Sequence, residues 1–354
     1  MIKINKIAIA VATFMAGSTY AAEADFIQYD IYGQIGGAMK TEEAVEAPTP
    51  NSLIEEDFGL YSDTHAVADI DFKFNKHLSI DTSTLVHFDE EEDPEVKVRE
   101  AVFKGDFKNF DFKIGRFINP LYMNSSNEYR DFDRLTFRSN GFFNETGSAI
   151  EGLDGGMFGY KTKIKGTEAH FNIYSGIPTN IEGDSDVIVV DSNSDISVNA
   201  FNRDTEFTVT AENIMKTKKL GDFRFAVSYL DYSIDNADDD RFGEYIFDLG
   251  FKHQVNNLML EAEFAHSILD ISESLTVDVD KFYGVVGYNV HGFVPYVSYS
   301  MLDDELKADT EDALEFGVNY QINKHFKVKV AYEMLTDENN NDNDIISAGL
   351  AIKL

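Results

Sequence analysis

The 354-residue chain contains no cysteine, no tryptophan and only six prolines, and its 30 Lys and Arg face 63 Asp and Glu. Without cysteine, neither a disulfide framework nor a thiolate metal site is possible. A formal net charge of −33 repels nucleic acid at long range and attracts cations, so we expect no nucleic-acid partner. The 29 Phe and 17 Tyr argue against the disorder that acidity alone would suggest.

The sequence also lacks a long apolar run after its first residues. Asp, Glu, Lys, Asn or Gly interrupts the longest later stretches every second or third position, whereas a spanning helix needs about 20 apolar residues. The first residues differ, with two lysines before an apolar run over 7–16 and small residues after it. This order predicts a signal peptide over residues 1–24, cleaved after Ala21 or Ala24, and therefore export.

In place of long apolar runs, the chain has segments in which apolar and polar residues alternate with a period of two. Between Leu314 and Ile322, apolar residues occupy every second position and Glu, Gly, Asn and Gln occupy the others. The last segment, 346–354, repeats the pattern. Such segments predict strands with one apolar face. A β-sandwich would bury that face and a membrane barrel would turn it toward lipid, and periodicity alone does not separate the two.

The lengths of the connections between strands distinguish a membrane barrel from a β-sandwich. Links after the even-numbered strands span two to six residues, and links after the odd-numbered strands span six to thirty. Outer-membrane barrels have short periplasmic turns and longer external loops. We therefore predict an all-β fold for residues 25–354, a single 16-stranded antiparallel transmembrane β-barrel. The predicted strands are 26–40, 64–74, 79–88, 95–105, 110–117, 148–164, 167–176, 204–216, 223–233, 242–253, 258–269, 276–290, 293–302, 313–322, 326–335 and 344–354.

Motifs for metals and for catalysis are weak. The segment 191–195 starts like a calcium-binding loop but lacks the Gly at position 6 and the Glu at position 12. Loose divalent binding by the acidic loops, bridging to lipopolysaccharide phosphates, is one hypothesis, and a solvated acidic loop is the alternative. The eight His are scattered without H-E-x-x-H or G-x-S-x-G motifs. We predict no enzyme activity, no cofactor and no defined metal site.

Three segments resemble the general porin family of Gram-negative outer membranes. The run Asp30-Ile31-Tyr32-Gly33-Gln34 is similar to the opening strand of that family. The segments 98–105 and 110–116 resemble the hairpin before its third loop, and the longest predicted loop, 118–147, follows directly. The resemblance implies an outer-membrane barrel in contact with lipid and lipopolysaccharide, usually trimeric, with the third loop folded into the lumen. The chain departs from the family in its terminal Leu354 and in having no "PEFGG"-like stretch.

The same resemblance implies a pore constriction, where lumen charges set selectivity. The candidate residues are two from the barrel wall and five from the loop: Arg99, Arg116, Glu128, Arg130, Asp131, Asp133 and Arg134. One interpretation is a mixed-charge eyelet in which loop carboxylates face Arg99. The other is a loop held by its own ion pairs with no role in selection. Strict alternation would point Lys97 and Arg99 the same way and turn Glu100 toward lipid unless the strand contains a bulge.

The predicted function is passive diffusion of small hydrophilic solutes and ions through a homotrimeric outer-membrane porin, with a preference for cations. A substrate-selective channel of the same architecture, for a sugar, a peptide or a cation, is the alternative. A plugged barrel with an adhesive role and a soluble secreted β-protein are the further possibilities.

Overall fold

The structure is a computed structural model. It describes residues 26–40, 58–60, 63–88, 94–125, 129–138, 143, 150–180, 185–190, 196–201, 203–234, 241–272, 275–305, 310–336 and 342–354. The predicted signal peptide, the segment 191–195 and the candidate residue Glu128 lie outside the described residues.

The described residues form eighteen strands. The first nine are β1 (Ile27–Lys40), β2 (His65–Lys73), β3 (Leu78–Phe88), β4 (Pro94–Asp106), β5 (Phe110–Ile118), β6 (Ile150–Ile164), β7 (Thr167–Asn180), β8 (Ser185–Val190) and β9 (Ile196–Phe201). The others are β10 (Arg203–Thr217), β11 (Gly221–Ile234), β12 (Arg241–Val255), β13 (Leu258–Ser272), β14 (Leu275–Tyr288), β15 (Phe293–Asp304), β16 (Glu311–Gln321), β17 (Phe326–Thr336) and β18 (Asp342–Lys353). In the described part of the chain, no helix is long and apolar enough to cross a membrane.

Sixteen of these strands close into one antiparallel barrel, which confirms the predicted fold. The ends of the chain complete the ring, because β1 pairs with β18 and Ile31 and Leu354 exchange two backbone hydrogen bonds of 3.0 and 2.9 Å. β8 and β9 form a separate two-stranded sheet between β7 and β10. The prediction had assigned that whole stretch, 177–203, to a loop.

The short turns have the chemistry that tight hairpins require. Lys165 and Gly166 take φ values of 50° and 88°, and His291 and Gly292 take 54° and 91°. Two successive residues in the left-handed region make a type I′ turn, whose twist matches that of antiparallel strands. Glycine tolerates this region without strain. These turns all lie at the barrel end that also holds Leu354.

The barrel is apolar outside. Along β16, Phe316, Val318 and Tyr320 are exposed in the single chain, whereas Glu315 and Asn319, at alternate positions, are buried and point inward. This confirms the alternating face predicted for 314–322. An exposed apolar band of this kind is covered by lipid or by another subunit in a membrane.

The interior is less polar than in a simple water-filled barrel. Inward side chains from both halves of the sheet join residues of the β5–β6 connection in one buried cluster. Its members are Val102, Phe117, Leu121, Tyr122, Phe143, Leu153, Met157, Tyr174, Leu230, Tyr232, Ile246, Ala265, Tyr283, Val285 and Tyr296. This cluster occupies part of the lumen and supports the loop that crosses it.

Candidate functional site: the third loop inside the barrel

The connection between β5 and β6, residues 119–149, is called the third loop below. Its first described part, 119–125, contacts inward side chains of β11, β13 and β14. Arg224 donates to the carbonyl oxygen of Pro120, and Glu263 accepts from the backbone N–H of Met123. The Nζ atom of Lys281 lies 3.2 Å from the Tyr122 hydroxyl. The start of the loop is therefore bound to the part of the wall formed by β11 to β14.

The second described part, 129–138, contacts the other side of the barrel. Glu315 on β16 accepts from the Phe137 N–H at 3.1 Å. Arg138 makes two hydrogen bonds of 2.7 Å to the carboxylate of Asp63, which precedes β2. These partners lie at the strands that close the ring, β16 through β2. The described residues of the third loop thus cross the lumen and are fixed on two sides of it.

Asp131 is the central anchor of this second part. Its side chain is fully buried, and its carboxylate lies 2.5 Å from His65 Nε2 and 2.5 Å from Arg134 Nη2. Burial alone would raise the pKa of Asp131. The interactions of Asp131 with His65, Arg134 and Lys329 outweigh burial and hold that pKa well below its usual range. Asp131 is therefore an ionised structural group rather than a pore-lining charge.

Two lysines of β17 hold the loop through its backbone. Lys327 donates to the carbonyl oxygen of Phe132. Lys329 donates to the carbonyl oxygens of Asp131, at 3.2 Å, and Thr136, and its side chain is fully buried. Neither lysine is among the constriction residues predicted from the sequence. Their place in an alternating strand showed that they face the lumen, but no sequence pattern identifies backbone carbonyls nearly 200 residues away as their partners.

Two other loop charges remain accessible from the lumen. Asp133, 43% exposed, pairs with Lys353 of β18 at 2.9 Å. Arg130, 31% exposed, pairs with Asp69 of β2 at 2.6 Å. Among the described loop candidates, Arg130 and Asp133 thus fit an eyelet, while Asp131 and Arg134 fit the alternative of a loop held by its own ion pairs. Each interpretation accounts for one half of the charged cluster.

Arg99 lies in a β-bulge. Ser83 pairs with Glu100 and the next residue, Thr84, pairs with Val98, so Arg99 is the extra residue of β4. The bulge resolves the conflict in the sequence pattern, because Glu100 now faces the lumen and binds Lys113 at 3.0 Å. Arg99 itself is buried, with its guanidinium carbon 4.7 Å from the ring centre of Tyr129 in the third loop.

Arg116 does not belong with these residues. It pairs across the sheet with Ala101 on β4 and with Asp154 on β6, and both neighbours point outward. Its guanidinium makes two hydrogen bonds of 2.9 and 2.8 Å to the Asp154 carboxylate on the outer surface. The sequence interpretation of Arg116 as a constriction residue is therefore corrected. The residue has the parity of Phe110, Phe112 and Ile114, all on the outer face.

A wall of alternating charges lies on the inner faces of β2 to β5. Its ion pairs are partly exposed to the lumen and join neighbouring strands or successive inward positions of one strand. They are Asp81 with Lys104 at 3.2 Å, Glu100 with Lys113 at 3.0 Å, and Glu95 with Lys97 at 3.2 Å. This wall and the eyelet residues Arg130 and Asp133 form the candidate solute path. Within the described ranges, no group of three or more His, Asp and Glu residues is arranged to hold a metal ion.

Comparison with known proteins agrees with this architecture. The sequence model described as "Gram-negative porin" matches residues 8–353. Among solved structures, an anion-selective porin of Comamonas acidovorans is 8% identical with a TM-score of 0.66, and covers 93% of this chain and 100% of its own. OmpF of Salmonella typhi is 14% identical with a TM-score of 0.60, at coverages of 93% and 97%. The trimer form of OmpT from Vibrio cholerae is 12% identical with a TM-score of 0.56, at 93% and 100%. No curated protein sequence matches the chain.

Proposed function

This chain belongs to the Gram-negative porin family, and from that premise we propose that it is a homotrimeric, cation-preferring channel for small hydrophilic solutes and ions. The family and the closed 16-stranded barrel support an outer-membrane channel for passive diffusion and point to a channel rather than an enzyme. The proposal includes removal of residues 1–24 on export. It also includes a surface in contact with outer-membrane lipid and lipopolysaccharide.

The observation that carries the proposal is a lumen crossed by an anchored loop beside a wall of exposed, paired charges. Charges of both signs on β2 to β5 offer hydrogen bonds to polar solutes along that wall. The third loop and the apolar cluster occupy part of the lumen beside this wall, so the aqueous path is narrow. Small hydrophilic solutes fit such a path better than bulky or apolar ones.

Cation preference rests on the distribution of charge. The external links 41–63, 89–93, 181–202 and 235–240 are rich in Asp and Glu and contain no Lys or Arg. Acidic residues at the mouth of a low-dielectric pore raise the local concentration of cations. The lumen of the described barrel is more evenly mixed, so we expect a modest preference set at the external mouth. One similar structure is an anion-selective porin, so the fold alone does not fix the sign.

The test is conductance of the purified protein in a planar bilayer under a tenfold KCl gradient. We expect current steps in groups of three, as three identical pores predict, and a reversal potential that favours potassium. A chloride-favouring reversal potential would reject the cation preference but would not contradict the channel function. A folded barrel without conductance would reject the channel function and favour a barrel whose lumen is plugged.

A substrate-selective channel is the second candidate, and the apolar cluster inside the barrel favours it. Buried aromatic residues such as Tyr122 and Tyr296 narrow the lumen. Addition of sugars or short peptides to an open single channel distinguishes the two. A general porin shows no block at millimolar solute, whereas a selective channel shows concentration-dependent interruptions of the current.

A further inference from the structure

Three polar side chains meet on the inner face of the barrel, near the short turns at the ends of β4 and β6. Asp111 on β5, Gly159 on β6 and Asn172 on β7 lie in one row across the sheet. His170 is the next inward residue on β7, because residues two apart on a strand share a face. Its Nε2 atom lies 2.9 Å from Asp111 Oδ1. An imidazole nitrogen, a carboxylate oxygen and an amide oxygen are thereby brought together.

Gly159 leaves room for these three atoms between its neighbours. A Cβ atom at this position would lie 2.6 Å from both His170 Nε2 and Asn172 Oδ1, and closer still to Asp111 Oδ1. Carbon atoms do not approach oxygen or nitrogen that closely, so any larger residue would displace all three. The three atoms therefore converge beside the backbone of β6, and the missing side chain of residue 159 allows them to do so.

The amide of Asn172 is oriented by its neighbour on the other side. Its Nδ2 atom donates to Glu212 of β10 at 2.7 Å, so its Oδ1 atom points back toward Asp111 and His170. Asn172 is only 4% exposed, and within the described part of the chain no donor reaches this oxygen. A buried carbonyl oxygen without a donor is unfavourable. A bound cation would provide the interaction that this oxygen lacks.

The distance between the two closest donors fits a six-coordinate metal ion. Adjacent ligands of an octahedral site with bonds of about 2.1 Å lie about 3.0 Å apart, whereas ligands of a tetrahedral site lie about 3.4 Å apart. The 2.9 Å between His170 and Asp111 matches the octahedron. An imidazole ligand favours transition metals over Mg²⁺ and Ca²⁺. The hydrogen bond to the carboxylate places a proton on Nε2, and a metal ion at this place leaves the ring proton on Nδ1 instead.

We propose that Asp111, His170 and Asn172 bind one divalent transition-metal cation, of which Ni²⁺ is the test case, with water from the lumen at the remaining positions. Lys161 is the neighbouring group that opposes binding. Its Nζ atom lies 3.7 Å from Asp111 Oδ1 and 2.7 Å from Asp106, so its charge is close to the metal but directed mainly at Asp106. The site does not depend on which solute the channel passes.

Ni²⁺ binding to the purified, folded barrel tests the proposal. Calorimetry in excess Mg²⁺, which occupies sites made only of oxygen ligands in the acidic loops, should show one Ni²⁺ per chain. His170→Gln and Asp111→Asn should each weaken binding about tenfold or more. Lys161→Gln should strengthen binding, because it removes the opposing charge. His87→Gln is the control, since His87 lies 3.1 Å from Glu95 in another pair of imidazole and carboxylate, and it should leave the affinity unchanged.

Gly159→Ala tests the geometry without removing a ligand. Its methyl group displaces the three donor atoms, so Ni²⁺ binding should be lost. Gly156→Ala on the same strand is the matched control, because the nearest atom there would lie 3.6 Å from the added Cβ. The heat-modifiable band on electrophoresis shows whether each variant is folded, and if Gly159→Ala is not, His170→Gln decides.

Three results would overturn the proposal. The first is no saturable Ni²⁺ binding in excess Mg²⁺, and the second is binding that folded Gly159→Ala and His170→Gln barrels retain in full. The third is a loss in His87→Gln equal to that in His170→Gln. The measurement needs no conductance, so its result stands apart from the proposed channel function.

Discussion

At the scale of single residues, the third loop is held in place by charged side chains that are buried away from water. Asp131 has no exposed side-chain area and touches His65 and Arg134. Burial opposes its ionisation, yet the surrounding positive charges keep its pKa well below the usual range. Because the folded-state pKa lies below the unfolded value of about 3.9, the ionised group stabilises the fold above that pH. The stabilisation is lost as pH falls through the depressed value.

Asp131→Asn keeps the shape of the side chain and removes its charge. We expect the variant to show more current fluctuation than the natural protein at pH 7, because the loop loses its central anchor. The difference should persist down to about pH 4, where the natural carboxylate is still ionised, and should shrink only at lower pH. Single-channel recordings at several pH values measure this. Asp133→Asn, at a half-exposed site, is the control, and a difference that vanished between pH 7 and 5 would contradict the account.

Arg138 supports a second prediction at this scale. Its two hydrogen bonds to Asp63 are largely buried, and Glu333 lies 3.7 Å away. Arg138→Leu leaves these carboxylates without their cation, and breaking one partner of a buried pair costs about 3–5 kcal/mol. We expect a lower temperature for the loss of the compact, heat-modifiable band on electrophoresis. The double variant Arg138→Leu with Asp63→Asn should regain part of the loss, and a double variant no better than the single would argue against the pair.

At the scale of secondary structure, β4 shows how one inserted residue preserves the faces of a strand. Since Ser83 pairs with Glu100 and Thr84 with Val98, deletion of Arg99 would join two halves that already share one register. We expect the deletion variant to fold to a heat-modifiable barrel. Deletion of Val102, which lies in an uninterrupted part of the ladder, should prevent folding because it moves every following side chain to the other face. Equal behaviour of the two deletions would show that the bulge is not what sets the register.

The same strand marks what sequence can predict and where it stops. Alternation and link length predicted the sixteen barrel strands, because both are local and repeat along the chain. The clash between Lys97, Arg99 and Glu100 even signalled a bulge. The resemblance to a family hairpin put Arg116 in the constriction, whereas the structure places it on the outer face with Ile114. The partners of the third loop could not be predicted, since Lys329 and Thr136 meet only after the ring closes. The hairpin of β8 and β9 was hidden by polar residues around it.

At the scale of the whole molecule, the sign of the charge differs between the external links, the periplasmic turns and the lumen. Acidic residues gather in the external links, lysines lie in several periplasmic turns, and the lumen of the described barrel pairs the two signs. The outer wall is almost free of charge within its apolar band. Among the described residues, the ion pair of Arg116 with Asp154 and the hydrogen-bonded pair of His266 with Asp280 lie on it in different sectors. Substitutions at the two pairs therefore compare two sectors of the outer wall.

Leucine substitutions at these pairs should separate the two environments. In the proposed homotrimer, a subunit contact at β5 and β6 would bury the charge that Arg116→Leu or Asp154→Leu leaves unpaired, so each substitution would lower the temperature at which the unheated trimer dissociates in detergent. The double variant should come close to the natural protein, because replacing both members of a buried pair by apolar residues is often neutral. Asp280→Leu, on β14 in another sector of the wall, is the control and should then leave trimer dissociation unchanged. If the first pair faced lipid instead, trimer dissociation would not respond to either single substitution.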